Sequence, residues 1–161
     1  MTDSSGNNQL DSPPGRLAGL DYGTVRIGIA IADRELAIAG AHENYTRRSP
    51  QLDAEHFQQL VSAENITLFV VGLPVHLDGR ESQKSAEARE FGGWIQETTG
   101  VPVEFFDERY TSVQAEQILE QAQLTKKKRK ARLDMLSAQI MLTSYLESGS
   151  RAKQEPGSIE D

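Results

Sequence analysis

Arg16-Leu17-Ala18-Gly19-Leu20-Asp21-Tyr22-Gly23-Thr24-Val25-Arg26-Ile27-Gly28-Ile29-Ala30-Ile31-Ala32 is the first sustained apolar stretch of the 161-residue chain. It predicts two antiparallel strands, Arg16–Asp21 and Arg26–Ala32, around the turn Tyr22–Val25, with a third strand over Leu36–Gly40. Downstream the pattern changes. Asp53–Ala63 has helical spacing at Phe57, Leu60 and Val61, Thr67–Val71 is a continuous apolar strand, and Glu81–Thr98 is a helix with Phe91, Trp94 and Ile95 on one face. Gly100 is a helix stop before a strand at Val101–Phe106, and helices follow at Ser112–Ala122 and Leu133–Leu146. The order βββαβαβαα predicts an α/β fold with a mixed five-stranded sheet. A three-strand antiparallel meander is followed by parallel strands, and helices flank the sheet because parallel neighbours need crossovers. Ligand sites in such sheets lie at the carboxyl ends of strands.

The polar composition of residues 1–15 and 148–161 predicts flexible tails around one domain, 16–147. With no cysteine there is no disulfide framework, thiol nucleophile or cysteine-built zinc site, which suits a reducing cytoplasm. The N-terminal stretch lacks the basic start and apolar run of a signal peptide, and no segment approaches the roughly 18 apolar residues of a membrane span. A cytoplasmic protein without membrane contact is expected. The net charge of −7 does not exclude a polyanionic partner, because residues 1–15 and 147–161 carry −2 each and leave −3 on residues 16–146. Within that section Lys126, Lys127, Lys128, Arg129, Lys130 and Arg132 form a basic run that can attract phosphates, although such runs are ordinarily a solvated helix entry.

Three acids are candidates for chemistry. Asp21 ends an apolar strand just before Gly23, as a ligand or as a cap on its own turn. Phe105-Phe106-Asp107-Glu108-Arg109 repeats the arrangement. Side chains alternate along a strand, so one of Asp107 and Glu108 faces the site and the other does not. Glu108 has the alternative of an ordinary ion pair with Arg109. Asp134 is the sole charged side chain from Leu133 to Leu146, on one face with Ala138, Met141 and Tyr145. A buried carboxylate there asks for a cation, whereas a position in the first turn allows a capping role. Acids from separate elements fit an oxygen-only site for Mg²⁺ or Mn²⁺ better than zinc. His42, His56 and His76 show no ligand spacing, although His76 lies in the loop Gly72–Gly79 beside the expected site and is a candidate substrate contact.

The segments GLDYGTVRIGIAIAD, VVGLPVHLDG, FFDERYTS and KKKRKARLDMLSAQIML, in this order and spacing over roughly residues 17–146, resemble the YqgF family, also called RuvX. The resemblance implies an RNase H-like fold related to the Holliday-junction resolvase RuvC, a cytoplasmic location, and nuclease action at the 5′ end of pre-16S rRNA. It places the catalytic, metal-binding acids at Asp21, Glu108 and Asp134. Nucleic-acid contacts are expected from Arg26, Arg109 and Lys126 to Lys130, and Thr111 also matches the family pattern. The chain departs from that pattern in its polar tails and in Thr24-Val25, where a lysine often precedes the arginine. The expected chemistry is phosphodiester hydrolysis with two ions about 4 Å apart. The expected partner is RNA, free or within the ribosomal particle, or branched DNA, acted on by a monomer or homodimer. Rival readings are a non-catalytic nucleic-acid module and an actin-like ATPase or sugar kinase. Retention of all three acids disfavours the first, and the lack of a second phosphate loop disfavours the second.

Overall fold

The computed structural model describes residues 15–35, 38–74, 78–110, 117, 120 and 129–154, with backbone alone at 110, 129–134 and 149–154. β1 (Arg16–Asp21), β2 (Arg26–Asp33) and β3 (Ile38–Thr46) form the antiparallel meander. Then come α1 (Pro50–Glu64), β4 (Ile66–Leu73), α2 (Gln83–Thr99), β5 (Val103–Asp107), one 3-10 turn (Glu108–Tyr110) and α3 (Arg129–Gln154). The strands lie in the order β3-β2-β1-β4-β5, with β1, β4 and β5 mutually parallel. This is the five-stranded mixed sheet expected from the sequence. Of the expected helix at Ser112–Ala122 the described residues are Gln117 and Glu120, both helical; the rest of it, with Thr111, His76 and Lys126–Lys128, lies outside the described residues.

Local chemistry sets the element ends. Ser49 accepts the Leu52 N–H at 3.1 Å with Pro50 in the first turn, so α1 starts three residues before its apolar spacing does. Ser82 and Ser85 form a capping box, which begins α2 at Gln83 rather than at Glu81. β3 is longer than expected and shifted, covering Ile38–Thr46 instead of Leu36–Gly40. Its second half, His42-Glu43-Asn44-Tyr45, has no apolar alternation. It is held as an edge strand by its ladder to β2, which apolar patterning does not register. α3 begins before Leu133 and runs past Leu146 into the stretch expected to be a tail.

Two cores cover the two faces of the sheet. Ala18, Leu20, Ile27, Ile29, Phe69 and Val71 pack against Phe57 of α1 and Phe91 and Ile95 of α2. The alternate residues Leu17, Ala30, Leu68, Val70 and Phe106 pack against Ala138, Met141 and Leu142 of α3. β4 is buried on both sides, which explains its continuous apolar run. α3 reaches the sheet closely because β1 has no side chain at Gly19. A Cβ there would lie 3.0 Å from the Leu142 Cβ, 3.2 Å from the Met141 Cε and 3.4 Å from the Ala138 carbonyl oxygen. Gly19→Val is expected to destabilise the protein by about 1–3 kcal/mol through overpacking against a helix backbone. Urea unfolding checks this, and an unchanged midpoint would contradict the seating of α3 on β1.

Candidate metal centre

Alternation along β1 assigns Asp21 to the α3 face, since Leu17 belongs to the core under α3 whereas Ala18 and Leu20 belong to the opposite core. Asp21 is half-buried and paired with Gly28 of β2. On its other side, Leu20 is opposite Val71, so one further step of the register places Asp21 beside Gly72 of β4. Gly72 in turn pairs with Phe106 of β5.

The Glu108 carboxyl occupies the space that a side chain at position 72 would take. A Cβ on Gly72 would lie 3.0 Å from its Cδ and 3.2 Å from both Cγ and Oε1. The carboxyl therefore lies on the α3 face, over the strand adjacent to β1, at a lateral spacing of about 5 Å from the strand of Asp21. Burial pushes the Glu108 carboxyl above its ordinary range, Lys84 opposes the shift, and the Asp107 charge adds to it. A bound cation would reverse this bias, so acid conditions should compete with metal for Glu108.

Asp107 takes the other face. It pairs in register with Leu73, a member of the opposite core, and accepts from the Arg109 amide at 2.9 Å and from its Nε at 2.9 and 3.0 Å. The Arg109 guanidinium holds the Asp107 carboxyl below the usual carboxylate range. Arg109 is thereby fixed next to Glu108, and its Nη1 is 3.6 Å from where a Cβ on Gly79 would stand.

Asp134 lies in α3, one turn before Ala138, and its side chain is outside those described. Of the three sequence candidates the structure thus brings Asp21 and Glu108 together, and it puts the helix of Asp134 on the same sheet face. No group of three metal-ligating side chains occurs among the described residues. Arg26 is exposed at the start of β2, and Arg129 and Lys130 open α3. Sequence reasoning passed over Lys84 and the network of Arg47, Tyr45 and Asp53. A signal existed for Asp53, whose spacing with Phe57 and Leu60 puts an acid on the buried stripe of α1.

Residues 15–148 match the family model described as "RuvX: Holliday junction resolvase". The chain belongs to the RuvX family. It is 48% identical over 134 residues to a "Putative pre-16S rRNA nuclease" of Rhodopirellula baltica, covering 83% of this chain and 78% of the relative. The fold is that of the yeast mitochondrial Holliday junction resolvase Ydc2, with TM-score 0.52 and 12% identity over 92% of this chain and 84% of that one. The Fowlpox virus resolvase, solved in a complex with its substrate Holliday junction DNA, gives the same TM-score of 0.52 at 12% identity, over 83% of this chain and 97% of that one. The RuvX chain therefore has the RNase H-like fold expected from its motifs, and it is a nuclease, a hydrolase of phosphodiester bonds. Among the described residues no helix is long and apolar enough to cross a membrane.

Proposed function

We propose that this RuvX-family nuclease is divalent-metal-dependent and processes the 5′ end of pre-16S rRNA in the cytoplasm. The observation that carries the reading is the Glu108 carboxyl seated over Gly72 beside the strand end of Asp21. The name of the Rhodopirellula relative supports RNA as the substrate. Asp21 and Glu108, completed by Asp134, form an oxygen ligand set suited to Mg²⁺ or Mn²⁺. Two such ions, when bound, supply a lowered pKa for the attacking water and charge stabilisation for the leaving oxygen. Arg109, oriented by Asp107, contacts a phosphate oxygen beside Glu108. Arg26 and the run Lys126–Lys130 hold the flanking backbone, each neutralised phosphate adding salt-dependent affinity.

A second reading, cleavage of branched DNA, is favoured by the family description. The test offers purified protein a 5′-extended 16S precursor fragment and a four-way DNA junction in parallel, each with Mg²⁺ or Mn²⁺. Chelator-sensitive cutting of the RNA supports the proposal, cutting of the junction alone selects the second reading, and metal-independent cutting overturns the metal assignment.

A further inference from the structure

The turn that follows Asp21 is clamped by one arginine from the opposite face of the sheet. Arg47, just after β3, donates its backbone N–H to the Val25 carbonyl at 2.9 Å and its Nη1 to the Gly23 carbonyl at 3.4 Å and the Tyr22 hydroxyl at 3.5 Å. Its guanidinium stands 5.6 Å from the centroid of the Tyr22 ring and 5.7 Å from that of Phe91, within cation–π range. Three of the four turn residues thus bond to or stack on this one residue, Tyr22 and Gly23 on its side chain and Val25 on its backbone.

That side chain is aimed by a buried carboxylate. Asp53 is 2% exposed and lies 3.6 Å from the Arg47 Nε. It accepts from the Tyr45 hydroxyl at 2.6 Å and from the Arg48 amide at 2.9 Å. Burial by itself would raise the Asp53 carboxyl, but the Tyr45 hydroxyl, the Arg48 amide and Arg47 together bring it below its ordinary range. A charged Asp53 fixed by two donors has its remaining oxygen directed at Arg47, and an arginine fork held at both ends restricts the turn.

We propose that Arg47, oriented by Asp53, is a positioning residue for the metal site, holding the Tyr22–Val25 turn so that the Asp21 carboxylate stays aligned with Glu108. This rests on the metal site proposed above. The bonds to Tyr22, Gly23 and Val25 support the turn after Asp21, as outer groups that fix a metal ligand's orientation do without touching the metal.

The test measures Mn²⁺ affinity of the full chain by titration with paramagnetic-resonance detection, for the native protein, Asp21→Asn, Arg47→Met and Arg47→Lys. Arg47→Met keeps the aliphatic stem and removes the donors, and it should weaken Mn²⁺ binding about tenfold or more. It should also lower kcat with little change in KM. Arg47→Lys retains charge opposite Asp53 and should recover part of the affinity. A purely structural role would lower the melting temperature while leaving Mn²⁺ affinity intact at a temperature where the variant is folded. Native affinity and native kcat in folded Arg47→Met overturn the inference, as they do in folded Arg47→Lys should the methionine variant not fold. Native protein that takes up no Mn²⁺, or uptake indifferent to Asp21→Asn, overturns the metal site itself and the inference with it.

Discussion

Asp21→Asn is expected to abolish measurable Mn²⁺ binding and to lower the hydrolytic rate on the order of 10³-fold, about 4 kcal/mol of transition-state stabilisation. Fold stability should change little. The substitution discriminates between the two roles open to Asp21. Asparagine caps a turn as well as aspartate does, because a side-chain oxygen serves either way. A turn-capping Asp21 would therefore give an Asn variant with native melting and native rate. A ligand loses its charge in the same substitution, and an amide oxygen does not compensate a divalent cation. Asp134→Asn separates capping from ligation in α3 by the same logic, since Asn and Asp are comparable at helix starts. Metal titration and single-turnover kinetics on the precursor fragment read the outcome. A folded Asp21→Asn protein that cuts at the native rate would end the assignment.

Gly72→Val should lower the rate on the order of 10²-fold without unfolding the protein. Gly72 sits within β4 and is not among the positive-φ glycines, so a β-branched residue suits its backbone. The difficulty is the space above it. A Cβ alone would lie 3.0 Å from the Glu108 Cδ, and the two methyl groups of valine extend into the volume now filled by the carboxyl. Glu108 is a side chain at a strand end and can swing away, so the strain is relieved by moving the acid rather than by opening the sheet. Displacement of about 1 Å in a catalytic constellation costs about this factor in rate. Overpacking should cost about 1–3 kcal/mol in stability. Gly72→Ala should fall between native and valine in both rate and metal affinity. A native rate in Gly72→Val would mean that the Glu108 carboxyl has no role where it now lies. Thermal melts alongside the kinetics distinguish a displaced ligand from a damaged fold.

How much was legible beforehand differs by element. Strands β1, β2 and β4 and helices α1 and α2 were visible because a face packed against a core leaves a period in the sequence, 2 for a strand and 3.6 for a helix. The far half of β3 was not, since an edge strand is held by ladder hydrogen bonds to β2, and its polar side chains leave no apolar period. The extension of α3 to Gln154 was missed for a related reason. Its final residues are polar and continue a helix nucleated by the buried segment around Ala138, Met141 and Leu142.

For the site the division is sharper. Strand ends followed by acids singled out Asp21 and the pair Asp107 and Glu108, and the ordered motifs pointed to the family and, through it, to Glu108. Which of Asp107 and Glu108 faces the α3 side depended on the register of β5 against β4 and on the empty position at Gly72. Neither is a local property. The clamp on the Asp21 turn joins Arg47 after β3, Asp53 in α1 and Phe91 in α2, residues brought together by folding alone. By itself, then, the sequence determined the fold class, the family and the kinds of residue available for chemistry, because periodicity, caps and motifs act over a few neighbours. The tertiary structure decided which carboxylates share a face and what holds them in place, because register and close backbone approach arise between segments distant in the chain.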